Sequence, residues 1–109
     1  MSKDTWINDI LAGQYDGQDV ELKGWIHRSR GSNKIRFIVI RDSTGKIQCV
    51  AKRAILGDDF FDELKGSLIE SSVILRGKVE ATDREHGHEI QITSGEIVGA
   101  VNPDRPFPI

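Results

Sequence analysis

The sequence predicts an all-β fold: a five-stranded Greek-key barrel with one short helix between its third and fourth strands. Three observations predict it. Short segments alternate apolar and polar residues with the period of two that a half-buried strand requires. Glycines interrupt the first and fourth of these segments, Gly24 and Gly77, where a small sheet must bend to close. Between the third and fourth segments the apolar spacing changes once to that of a helix.

The elements follow in order. After a capping Asp4, Thr5 to Leu11 has near-helical apolar spacing and precedes Gly13, giving a short helix or turn. The first strand, Gln18 to His27, sets Val20, Leu22, Gly24 and Ile26 on one side and Glu21, Lys23 and Trp25 on the other. Arg30-Gly31-Ser32-Asn33 is a polar loop, and the second strand runs from Lys34 to Arg41. Asp42-Ser43-Thr44-Gly45 is a turn ending in glycine, and the third strand is Lys46 to Ala51. From Asp58 to Leu68, the residues Phe60, Phe61, Leu64 and Leu68 mark an amphipathic helix, with Asp58 and Asp59 complementing its dipole. The fourth strand, Ser72 to Thr82, aligns Val73, Leu75, Gly77 and Val79; a turn at Glu85-His86-Gly87-His88 leads to a fifth strand, Glu89 to about Val98. Three strands, a helix and two strands is the order of the OB-fold.

The chain thus divides into an N-terminal extension with a short helix (1–17), the barrel (18–101) and a Pro-rich segment (102–109). All three prolines, Pro103, Pro106 and Pro108, fall in that last segment. Proline donates no ladder hydrogen bond, so the segment reads as the start of a linker or as a tail folded on the barrel.

Composition narrows the function. The longest central apolar run, Phe37 to Ile40, is far too short to cross a bilayer, so no membrane role is expected. A single cysteine, Cys49, excludes an internal disulfide and suits a cytoplasmic protein. The net charge is −2, yet residues 22–41 hold six of the fifteen Lys and Arg and none of the seventeen Asp and Glu. Such a stretch steers a polyanion to one face, or it is a strand edge kept soluble by charge.

No phosphate-cradling glycine loop is present, and nothing resembles a nucleophile–base–orienter set. His86-Gly87-His88 has no distant partner ligands and is a poor metal site, while Asp58, Asp59, Asp62 and Glu63 read as a solvated helix face. No catalytic residue and no metal ligand is therefore assigned. The strands instead gather a binding surface: Phe37 shares a face with Val39 and Arg41, and Gln48 with Lys46. An exposed Phe can stack on a base, and a glutamine amide offers both a donor and an acceptor to a base edge. Arg28 and Arg30 can hold phosphates. Periodicity leaves Phe37 open between this face and the core, because Arg36 occupies an inward position.

Gly24-Trp25-Ile26-His27-Arg28, Lys34-Ile35-Arg36-Phe37, Ile40-Arg41-Asp42-Ser43-Thr44-Gly45 and Ile47-Gln48-Cys49-Val50 resemble the N-terminal anticodon-binding domain of class IIb aminoacyl-tRNA synthetases. Glu70-Ser71-Ser72-Val73, Gly87-His88-Glu89, Glu96-Ile97-Val98-Gly99 and Phe107-Pro108-Ile109 look most like the asparaginyl enzymes, and the likeness covers residues 18 to 109. The resemblance implies that Phe37 stacks on an anticodon base and Gln48 reads the central uridine. It also implies that Arg28, Arg30 and Lys34 contact the anticodon loop and that Glu96 supplies a strand-five acid to the same site. Two positions depart from the family pattern: Ser32-Asn33 precedes Lys34 in place of glycine, and Arg36 replaces an apolar residue.

By the same resemblance the tRNA anticodon loop is the partner, and the domain needs no cofactor. ATP and magnesium belong to a catalytic domain absent from these residues, in a parent enzyme that is a homodimer. Other readings stay open: an aspartyl-type anticodon domain, a free-standing OB protein binding single strands or tRNA, and an assembly module with an apolar patch near residues 100–109.

Overall fold

A computed structural model describes residues 5–67, 69–81 and 87–99. Helix α1 (Ile7–Leu11) leads into strands β1 (Asp19–Gly31), β2 (Ile35–Arg41) and β3 (Lys46–Lys52). Helices α2 (Arg53–Leu56) and α3 (Asp58–Gly66) precede β4 (Ser72–Ala81) and β5 (His88–Gly99). The strands close into a barrel in the order β1-β2-β3-β5-β4, with β3 and β5 parallel and every other pair antiparallel. This is the predicted five-stranded fold. The expected helix from Asp58 is α3, and a further short helix, α2, precedes it, separated by Gly57 at φ 84°. Leu68, Thr82 and the prolines of the tail lie outside the described residues.

Alternation places the core. Val20, Leu22 and Ile26 of β1, Ile38 and Ile40 of β2, and Leu75 and Val79 of β4 are all buried, joined by Phe61 and Leu64 of α3. Gly24 is where β1 crosses over β2: a Cβ there would stand 2.5 Å from the Arg41 carbonyl oxygen, so only glycine lets the strands approach. Beyond it, His27 is the extra residue of a β-bulge, because Ile26 pairs with Ile40 but Arg28 pairs with Val39. The bulge carries β1 on to Gly31, so Arg30 and Gly31 lie in the strand where the sequence suggests a loop.

Helix α1 depends on tertiary contacts. Its N-cap is Trp6, which offers no capping side chain. Asp42, in the β2–β3 turn and only 6% exposed, instead accepts the Ile7 N–H at 2.8 Å, while Thr44 Oγ1 accepts that of Asn8 at 3.0 Å. Asp42 also accepts the Thr44 and Gly45 amides and the Thr44 hydroxyl. Burial raises the Asp42 pKa, but the hydrogen bonds from Ile7, Thr44 and Gly45 outweigh it and hold the carboxyl below its ordinary value.

A group depressed in the folded state stabilises above its unfolded pKa and loses that contribution as pH falls through the folded one. Asp42→Asn is therefore expected to destabilise the domain by about 1–3 kcal/mol at neutral pH. Urea unfolding should show this gap shrinking as the pH drops below about 4. A gap constant down to strongly acid pH would mean that the carboxylate charge is irrelevant.

Candidate nucleic-acid interface

Strand phase decides which side chains meet. Ile38 and Ile40 are fully buried, as are Ile47 and Cys49, whereas Phe37, Val39 and Gln48 are only partly covered. Phe37 and Gln48 therefore sit on the outer face of β2 and β3, and Phe37 is not a core residue. Two rows of facing residues cross this surface. One runs Arg28, Val39, Gln48, Glu89; the next runs Arg30, Phe37, Val50, Gln91. Phe37 and Gln48 are diagonal neighbours across the β2–β3 pair, about 7–8 Å apart by sheet geometry.

Without the bulge at His27, simple alternation from buried Ile26 would turn Arg28 inward. With it, Arg28 and Arg30 face solvent beside Val39 and Phe37. His27, Arg28, Val39, Lys46 and Gln48 border a small depression of about 220 Å3.

Charge pairing separates the arginines of this face from Arg41, Arg53 and Arg76. Elsewhere the arginines are neutralised: Arg41 by Glu70, Arg53 by Asp58 at 3.0 Å and Asp62 at 2.7 Å, and Arg76 by Glu21 at 2.9 Å. Among the described residues, Arg28, Arg30, Lys34, Lys46 and Lys52 have no carboxylate in ion-pairing range. Charge left uncompensated on one surface is what a polyanion meets. The basic run of the sequence is thus divided. Arg28 and Arg30 lie on the face, Lys34 lies in the turn before β2, Arg41 is paired and lies 5.5 Å from the Trp25 ring centroid, and Arg36 turns back towards the end of β1. There Arg36 donates to the Gly31 carbonyl and to Ser29 Oγ, both at 3.0 Å, which explains a cation at an inward position.

Glu96 is not brought to this surface. It lies beyond the β5 stretch that pairs with β3, stands opposite Ile74 on β4, and is 3.6 Å from Arg76. The strand-five acid beside the face is Glu89, whose Oε2 accepts a 2.9 Å hydrogen bond from Gln48 Nε2. Six residues and a register shift separate the two glutamates, so motif matching alone could exchange them.

Arg53, which the sequence did not single out, ties down the Ser32-Asn33 turn. Its Nε donates to the Asn33 carbonyl at 2.7 Å, and its guanidinium lies 4.4 Å from the Phe61 ring centroid. Lys65 also binds the Asn33 side chain. The departure from glycine before Lys34 is accommodated by these contacts, and the acids Asp58 and Asp62 serve as counterions to Arg53. Burial, with Glu89 nearby, pushes the Cys49 thiol far up, so it stays protonated and inert. His88 Nε2 lies 2.8 Å from Asp16, His86 is outside the described residues, and no metal-binding cluster occurs among those described.

A family model described as an OB-fold nucleic acid binding domain, of the tRNA anticodon type, matches residues 20–98. The chain belongs to this family. The OB domain is 40% identical over 98 residues to an asparagine–tRNA ligase of Koribacter versatilis, covering 89% of this chain and 22% of that protein. It is 34% identical over 97 residues to an aspartate–tRNA(Asp/Asn) ligase of Methanocaldococcus jannaschii, covering 88% and 22% respectively. The asparaginyl-tRNA synthetase of Pyrococcus horikoshii, solved with asparaginyl-adenylate, superposes on it with a TM-score of 0.85 and 32% identity. That match covers 97% of the OB domain and 25% of the synthetase. The OB domain therefore spans about a quarter of the length of these relatives. Among its described residues no helix is long and apolar enough to cross a membrane.

Proposed function

We propose that this OB domain reads the anticodon loop of a tRNA for an asparaginyl-type aminoacyl-tRNA ligase. One observation carries the reading: Phe37, Gln48 and the unpaired cations Arg28 and Arg30 share one outer face, with Lys34 in the turn that enters β2. Phe37 offers a ring to a base, and the cations hold the phosphates on either side.

Gln48 supplies discrimination. Its Nε2 donates to Glu89, which fixes the donor and acceptor ends of the amide. Uridine presents its N3–H between two carbonyls, so Gln48 Oε1 accepts the N3–H and the second Nε2 hydrogen goes to the O4 carbonyl. Cytidine reverses both polarities, leaving donor against donor and acceptor against acceptor, which costs the unmade bonds.

In the parent protein, joining asparagine to tRNA and using ATP and magnesium fall to a catalytic domain. This domain contributes recognition, needs no cofactor and catalyses nothing. A depression of about 440 Å3 bordered by Trp6, Trp25, Ile74 and Val98 gives the catalytic domain an apolar seat. The parent works in the cytoplasm as a homodimer.

Titration with anticodon stem-loops tests the reading. The asparagine loop should bind at about micromolar affinity or weaker, since one small module lacks the contacts of the whole tRNA. Changing its central uridine to cytidine should weaken binding about thirtyfold, the mid-range of a mismatched base. Equal affinity for both loops, with a steep salt dependence, would instead describe a non-specific single-strand binder. An aspartate loop, differing by one anticodon base, then separates the asparaginyl from the aspartyl type.

A further inference from the structure

The outer face does not stop at Phe37. Two residues back along β2, Ile35 leaves the sheet on the same side and is 37% exposed, an unusual setting for a large aliphatic chain in a strand. It stands opposite Lys52 of β3, just as Phe37 stands opposite Val50. Lys34, Ile35, Lys52 and Ala54 line a depression of about 530 Å3. Among the described residues the ammonium groups of Lys34 and Lys52 have no acidic partner. The acid on its wall, Asp58, is already engaged by Arg53. The result is an apolar floor between two uncompensated cations, one strand row beyond the aromatic platform and about 6.8 Å from it.

We propose that this depression is a second nucleotide subsite. Ile35 supports the base next to the one on Phe37, and Lys34 and Lys52 hold the phosphate that joins them. The proposal rests on the anticodon-reading function of the face. Its occupant follows from continuity, because a strand lying over Gln48 and Phe37 enters the next row in the same direction, and from charge. Arg53 shapes the subsite by fixing the Asn33 carbonyl and so the turn that carries Lys34.

The test is an abasic scan. Anticodon stem-loops, each lacking one loop base, are titrated against the wild-type domain, Phe37→Ala, Ile35→Thr and Lys52→Ala. Threonine keeps the β-branch that strands favour, and thermal melting confirms that each variant is folded. The wild type should lose affinity at the base on Phe37 and, by about fivefold, at one neighbouring base. Ile35→Thr should remove only the second sensitivity. Lys52→Ala should weaken every loop alike and flatten the logarithmic salt dependence by about 0.7, the value for one single-strand phosphate.

If Ile35→Thr and the wild type respond identically at every loop position while Phe37→Ala does not, the subsite is refuted and the anticodon reading stands. If Phe37→Ala also leaves the whole scan unchanged, both fail together.

Discussion

Phe37→Ala is expected to weaken binding of the asparagine anticodon stem-loop by about tenfold or more, from the ~1–3 kcal/mol that a base stacked on an aromatic ring contributes. The same variant should melt close to the wild type. Phe37 is partly exposed on the outer face and is no part of the buried cluster that closes the barrel, so truncating it opens no cavity. Gln48→Ala should behave differently. It keeps the stacking platform and most of the affinity but brings the uridine and cytidine loops to similar affinities, because the amide that distinguishes them is gone. Together the two variants separate holding a base from reading it. A Phe37→Ala domain that binds as tightly as wild type, or one that unfolds, would return the ring to a structural role.

Gly77→Ala is expected to destabilise the barrel strongly. A Cβ at this position would lie 2.3 Å from the Gln91 carbonyl oxygen and 2.8 Å from Ile90 Cγ2. Neither neighbour can retreat: Gln91 is backbone in the β4–β5 ladder, and Ile90 is buried in the core. The register between β4 and β5 already shifts between Arg76 and Gly77, so the strands have no slack with which to absorb a methyl group. A loss of about 3 kcal/mol is expected, the upper part of the range for overpacking, which is a large share of a small domain's stability. Gly66 at the end of α3 is the control, since nothing lies within 4 Å of its Cβ position. Urea midpoints that fall equally in both variants would show that loss of glycine, and not the close approach, is responsible.

These two predictions draw on unequal sources. Gly77 could be named from the sequence as a bend in a strand, because a glycine amid alternating apolar residues has few other reasons to be there. That its Cβ position meets the Gln91 carbonyl could not, since the β4–β5 register shift leaves no local trace. Counting alternate residues sets Phe37 and Gln48 apart from Ile38, Ile40, Ile47 and Cys49, but leaves open which set is the core, because Arg36 falls with Ile38; burial decides it. Counting fails wherever the period is interrupted. It cannot see that His27 is an extra residue, so Arg28 and Arg30 were recovered from their charge and from the family motif, not from phase.

Glu96 shows the opposite limit. A motif placed an acid on strand five, but only the parallel β3–β5 pairing shows that Glu89 stands beside Gln48, while Glu96 pairs across to Arg76. Arg53 was invisible because its three partners, Asn33, Asp58 and Asp62, come from two separate elements.

By itself, then, the sequence determined the strand count, the alternation within the unbroken strand stretches, the presence of a helix between β3 and β4, and the chemical character of the outer face. Those properties follow from short-range periodicity and residue type. Tertiary structure alone decided which cations stay unpaired, which glutamate orients Gln48, that Asp42 caps a helix far away in the chain, and that the face runs on to Ile35 and Lys52. Each of these depends on register between strands distant in sequence, and register is settled by barrel closure, with its bulges and close glycine contacts, and not by any local pattern.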